Sequence, residues 1–103
     1  MPQPRPFRLG YRSFTVIEYD PAKSDEFFEQ RGFDFPYVSR IFPGYVLERK
    51  DTRTYGEKRF QAIGEVLGEV FVVIYTRRGD VCGLITAWVA EQHERDLWYD
   101  ITR

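Results

Sequence analysis

The sequence predicts one α+β domain, with two N-terminal helices packed on a small, mainly antiparallel sheet and a further helix at the C-terminal end. Three observations carry that reading. Apolar residues recur at helical spacing through the first half, the period changes to that of strands from Tyr45 onward, and tight-turn residues separate the strand candidates. With 103 residues, 43% of them hydrophobic, the chain can bury a single core without help from a metal or a disulfide.

Residues 1–13 read as an extended N-terminal arm, because Pro2, Pro4 and Pro6 alternate with polar or basic residues. The arm is expected to be mobile unless a partner holds it, and residues 14–103 to form the domain. Phe14–Tyr19, β-branched and aromatic, fits a short strand. Asp20-Pro21 then starts a helix: an aspartate accepts from orphan N–H groups and proline is preset for the first helical position. That helix should run to Arg31, bury Phe27 and Phe28 beside Ser24 and Arg31, and stop at Gly32. Phe35, Val38, Ile41 and Phe42 place a second helix over Asp34–Phe42, ended by Pro43-Gly44.

Strands are predicted at Tyr45–Lys50, Arg59–Leu67, Val70–Tyr75 and Val81–Trp88. Gly68-Glu69 and Arg78-Gly79-Asp80 have tight-turn chemistry, so these strands should form consecutive antiparallel hairpins. The polar loop from Asp51 to Gly56 is the most plausible functional loop of the sheet. A last helix, about Ala90–Ile101, sets Ala90, Glu94, Leu97, Trp98 and Ile101 along one side.

Charge and cysteine content exclude several function classes. Fifteen Lys and Arg against sixteen Asp and Glu give no general attraction to nucleic acid or anionic lipid, so a polyanion site must be local. Arg49, Lys50, Arg53, Lys58, Arg59, Arg77 and Arg78 concentrate positive charge in the middle of the chain; such a run is either a basic face or an ordinary solvated surface. Cys82 is the single cysteine; a disulfide within the chain is impossible, and a buried, inert thiol in an apolar strand is expected. With no apolar leader and no long apolar run, a cytoplasmic protein without a membrane role is expected. There is no phosphate-binding glycine loop, metal-ligand Cys or His spacing, or nucleophile elbow. No cofactor or metal is therefore expected, and His93 reads as a surface or cap residue.

A set of separated matches in fixed order is more informative. It comprises Tyr19-Asp20-Pro21-Ala22-Lys23, Gly32, Phe35, Ile41-Phe42, Gly56-Glu57-Lys58-Arg59, Ile63-Gly64, Tyr75-Thr76-Arg77-Arg78-Gly79, Leu84-Ile85-Thr86-Ala87 and Glu94. Over roughly residues 14–99 this pattern resembles the BrnT family, the toxin halves of bacterial type II toxin–antitoxin pairs. The resemblance implies a RelE-like ribonuclease fold that inhibits translation by cutting RNA without a metal. It also implies a partner antitoxin, usually a ribbon-helix-helix protein of the BrnA type, through which alone operator DNA would be bound.

Residue by residue, Lys23 stands at the family's helix-1 lysine, and Glu57 with Arg59 at its Gly-Glu-x-Arg motif. Metal-free RNA cleavage needs a base for the 2′-hydroxyl, an acid for the leaving oxygen and cations at the phosphorane. The resemblance assigns Glu57 as the base, Lys23 as the acid or a phosphate contact, and Arg59 as a bidentate phosphate clamp. Arg31, Arg53, Arg77, Arg78 and Trp88 are candidate RNA contacts, Trp88 by stacking a base. Read without the family, Lys23, Glu57 and Arg59 are solvated surface charges and Trp88 is core or interface.

The chain also departs from the pattern. Gly83 and Trp88 replace two last-strand arginines, and Arg31 replaces the family's histidine before Gly32. Strand parity puts positions 83 and 88 on opposite faces unless a bulge intervenes. Loss of both arginines leaves open a second reading, a catalytically inactive BrnT-like domain that serves as a protein-binding module.

Overall fold

The computed structural model describes residues 6–51 and 56–103. One six-stranded sheet has the order β1-β3-β4-β5-β6-β2, built from β1 (Arg8–Arg12), β2 (Val16–Glu18), β3 (Gly44–Asp51), β4 (Arg59–Val66), β5 (Glu69–Arg78) and β6 (Val81–Val89). Helix α1 (Pro21–Arg31), the short α2 (Phe35–Val38) and a 3₁₀ turn (Ser39–Ile41) lie between β2 and β3, and α3 (Gln92–Thr102) follows β6. This corrects the expected arrangement of two leading helices on a small sheet: two strands precede the helices, and the sheet is wide.

Four neighbouring pairs are antiparallel, including the predicted hairpins β3-β4, β4-β5 and β5-β6. The exception is β2, which runs parallel to β6 with Val16 opposite Val81 and Glu18 opposite Gly83. Part of the expected N-terminal arm is edge strand β1, with Arg8 opposite Glu48 and Arg12 opposite Gly44. Prolines mark extended backbone, but the strand that receives it is more than thirty residues away, and local patterning cannot identify such a partner.

Helix α1 begins as predicted. The Asp20 carboxylate accepts from the Ala22 and Lys23 N–H groups, and Gly32 closes the helix at φ 80°. Ser24 and Phe27 are buried, but Phe28 and Arg31 are exposed, which corrects the wider buried stripe expected there. The predicted second helix survives as one α-turn, capped by Asp34 on the Tyr37 N–H, and then tightens into the 3₁₀ turn.

These segments cover one sheet face. Phe27, Phe33, Phe35, Val38, Ile41 and Phe42 pack there against Val46, Ala62, Phe71, Val73, Tyr75 and Leu84. The other face carries α3, with Trp98 on Leu47, Ile63, Val70 and Val72. Glu94 and Trp98 are the buried residues of α3, while Leu97 and Ile101 are exposed rather than part of its packed side. Burying an aromatic or branched side chain contributes on the order of 1.5–3 kcal/mol, so each face has its own sizeable apolar core.

A candidate RNA-cleaving hollow at the bulge of strand β6

The pairing of β5 with β6 slips by one residue: Ile74 faces Thr86, whereas Tyr75 faces Leu84. Ile85 is therefore an extra residue on β6, a bulge of the kind that bends a strand and re-aims its side chains. Parity is restored across it. Gly83 lies opposite Thr76 and Trp88 opposite Val72, so both face the side of the sheet that α3 covers. The opposite-face expectation for an unbulged strand does not apply, and both positions where the family pattern has arginine look the same way.

Two adjoining hollows open on this face. One is lined by Glu18, Tyr19, Glu57, Arg59, Thr76, Arg78, Gly83, Leu84 and Ile85. The next is lined by Asp51, Arg59, Ile74, Ile85, Thr86 and Trp88. Arg59 and Ile85 belong to both. Arg59 is exposed at the start of β4, and its guanidinium has neither a hydrogen bond nor an ion pair among the described residues. Glu57 precedes it, and its Oε1 accepts from Arg78 Nε at 2.8 Å. This hydrogen bond raises the pKa of the Arg78 guanidinium.

Lys23 reaches the same place from α1. Its ammonium donates to the carbonyl of the bulge residue Ile85 at 2.5 Å. Lys23 thus touches the backbone of Ile85, a residue that borders the hollow of Glu57 and Arg59, but lines neither hollow itself. Arg31 lies further along that edge, donating to the Ala87 carbonyl at 2.8 Å, with its guanidinium 4.2 Å from the centre of the Phe27 ring. β2 pairs only with Val81–Gly83 of β6. Lys23 and Arg31 therefore also cap carbonyls on the stretch of edge beyond β2, and covering an exposed edge is a structural role in its own right.

The remaining predicted contacts separate. Arg77 follows Thr76 on β5 and leaves the hollow altogether: its guanidinium lies 3.7 Å over the Phe60 ring and 3.6 Å from Glu48, on the α1/α2 side of the sheet. Desolvation there lowers its pKa, with the Glu48 charge opposing. Trp88 does border the hollow, but its indole N–H donates to Glu94, which also accepts from the Glu91 N–H at the start of α3. Trp88 is thus tied to α3 through its indole N–H. Arg53 and most of the polar loop fall outside the described residues.

Sequence reasoning missed the Thr76 hydroxyl, which would lie 2.5 Å from a Cβ placed at Gly83. It occupies the space through which a longer residue at position 83 would leave the strand. Elsewhere, Glu91, His93 and Glu94 form a grouping of metal-ligand types at the N-terminus of α3, where Glu94 is already engaged by Trp88. Cys82 is buried, and desolvation pushes its thiol up to about 12.

The fold and the hollow define a small α+β domain with a cation and a carboxylate poised beside a bulged strand. The family model described as "Ribonuclease toxin, BrnT, of type II toxin-antitoxin system" matches residues 19–94. The chain belongs to this family of ribonuclease toxins, and membership in a type II system implies a cognate antitoxin. Neither the search of curated proteins nor that of solved structures found a match. Among the described residues, no helix is long and apolar enough to cross a membrane.

Proposed function

We propose that this chain is a cytoplasmic endoribonuclease that stops translation by cutting RNA at the Glu57–Arg59 hollow without a metal, and that a ribbon-helix-helix antitoxin of the BrnA type silences it. Operator DNA is then contacted only through the antitoxin. The observation that carries the reading is Arg59: an exposed guanidinium with no partner among the described residues, lining a concave site that Glu57 shares and beside which Lys23 ends.

Arg78 holds Oε1 of Glu57 and leaves Oε2 for the 2′-hydroxyl proton. The 2′-oxygen attacks the neighbouring phosphorus, and Arg59 clamps the developing phosphorane charge through two parallel N–H groups. Lys23 releases the Ile85 carbonyl and protonates the departing 5′-oxygen. The products are a 2′,3′-cyclic phosphate and a free 5′-hydroxyl. Arg78 acts as a positioning residue, since it touches the base and not the phosphate.

A test is induced expression with and without the neighbouring gene, followed by analysis of total RNA. Growth arrest with fragmented RNA, both reversed by the neighbour, is expected; normal growth and intact RNA would contradict the proposal.

A second reading has its own support. Gly83 and Trp88 both face the hollow, so the two absent arginines would have lined it together. Removing one preorganised donor typically costs about a hundredfold to a thousandfold in rate. On this reading the chain keeps its partner-binding surface and has lost cleavage. Restoring Gly83→Arg and Trp88→Arg, with Thr76→Ala to clear the path at position 83, should then switch on toxicity. No gain of toxicity would sink it.

A further inference from the structure

A larger hollow lies at the same end of the sheet on the other face, where α1 and α2 leave the strands uncovered. It measures about 870 Å³ and carries five cations on this face, Arg8, Arg12, Lys50, Lys58 and Arg77; Arg49, also in its rim, sends its guanidinium to the α3 side, where it donates to Gln61 and stacks on Phe7. Glu48 is the one acid in its lining, and it is already occupied. Arg12 donates to both of its oxygens at 2.7–3.0 Å, the Tyr75 hydroxyl donates to it, and Arg77 stands at 3.6 Å. The hydrogen bond to Glu48 raises the pKa of Arg12. Five cations around one carboxylate already bonded to Arg12, in a chain whose net charge is −1, leave a local positive excess suited to an anion.

Two features select the kind of anion. The hollow is broad and open, and its aromatic floor, Phe60, is stacked by Arg77. It lies back to back with the Glu57–Arg59 hollow across the start of β4 and the end of β5. Arg59 and Phe60 are successive and point to opposite faces, as do Arg78 and Arg77, so each pair gives one side chain to each hollow. A flexible chain of phosphates passing over this end of the sheet meets cations on both sides. Arg8 and Arg12 come from β1, which precedes the stretch matched by the family model.

We propose that this basic hollow is a second binding site for single-stranded RNA, holding the backbone on one side of the nucleotide that is cut on the other. The proposal rests on the ribonuclease reading for its substrate, and its test is chosen to fail separately. The side chains of Arg8, Lys50 and Lys58 make no hydrogen bond or ion pair among the described residues, so Arg8→Gln, Lys50→Gln and Lys58→Gln together should leave the fold intact, as a thermal melt would verify.

The probe is a fluorescent 16-nucleotide 2′-O-methyl RNA, which cannot be cleaved, titrated against the full chain by anisotropy at several salt concentrations. Each lost phosphate contact lowers the salt slope by about 0.7 for single strands, so the triple variant should lose about two units of slope and about tenfold or more in affinity. A 4-nucleotide probe, too short to reach both hollows, should change far less.

An unchanged affinity for the 16-mer would overturn the proposal. So would a loss confined to an acidic peptide or the antitoxin, which would make this a protein-docking surface. Loss of 16-mer binding in a protein that cleaves no RNA would uphold this site and remove the nuclease reading.

Discussion

The two hollows at the β4/β5 end of the sheet are built from neighbouring residues and differ in charge: Glu18 and Glu57 balance Arg59 and Arg78 in one, whereas cations predominate in the other. On the α3 side, Arg78 is paired with Glu57, while the Arg59 guanidinium has no partner among the described residues. On the α1/α2 side, five cations surround one carboxylate that already pairs with two of them. The difference teaches that cutting and holding RNA make different demands. Chemistry needs few groups at fixed positions, whereas affinity for a polyanion grows with the number of phosphates neutralised. Alternation along a strand delivers both, because adjacent basic residues serve opposite faces.

The comparison is broken most sharply at Arg59. Arg59→Ala should lower RNA cleavage by about a hundredfold to a thousandfold, the usual loss for one charge-stabilising donor, while affinity for a long uncleavable RNA falls far less. Equal losses in both would erase the division of labour. A single-turnover cleavage assay beside an anisotropy titration measures the two.

Glu48 provides the converse. Its side chain is only 10% exposed and accepts from Arg12 and Tyr75, so Glu48→Ala should cost about 1–3 kcal/mol of stability, the range for hydrogen bonds to charged groups. The same change should strengthen RNA binding at low salt, because it removes the lone acid of the basic hollow. Denaturant melts and binding titrations on one preparation would reveal the opposing signs.

Lys23 sharpens the account more finely, since it caps the Ile85 carbonyl as well as approaching the hollow. Lys23→Met should cost about 1 kcal/mol through the lost donor, and Lys23→Arg should recover that stability. Cleavage that follows stability across the pair would reduce Lys23 to an edge cap; cleavage lost in the Met variant even at temperatures where it is folded would support the acid role.

Cys82, on β6 in the core beneath the helices and in the lining of neither hollow, should show the smallest effect. Its thiol, raised from an ordinary value of 9.0 to about 12, stays protonated in the folded chain between those values while the unfolded chain ionises. Its contribution to stability is therefore complete below pH 9 and declines as pH rises from 9 toward 12. Ellman's reagent at pH 8 should not label the native protein and should label it promptly in denaturant.

Much of this was legible in the sequence where the signals are local. Asp20-Pro21 and Gly32 bound α1 as read, and the glycine turns at Gly68 and Gly79, both at positive φ, give the hairpins. The losses came from pairings that no local pattern encodes. The N-terminal prolines concealed β1, which exists only because β3 receives it, and β2 joins the sheet beside β6 in parallel. The site behaved likewise. The motif named Glu57 and Arg59, which line one hollow, but the extra residue at Ile85, which puts positions 83 and 88 on one face, is a register slip invisible in β6 alone. Arg77 and Arg78 read as one basic pair, yet a strand necessarily parts them.

The measurement closest to the central claim is incubation of the purified wild-type chain, freed of antitoxin, with single-stranded RNA in EDTA, alongside Arg59→Ala. Fragments ending in 2′,3′-cyclic phosphate from the wild type, and almost none from the variant, are predicted. RNA left whole by the folded wild-type chain, or cut equally by both proteins, would contradict the placement of a metal-free ribonuclease at this hollow.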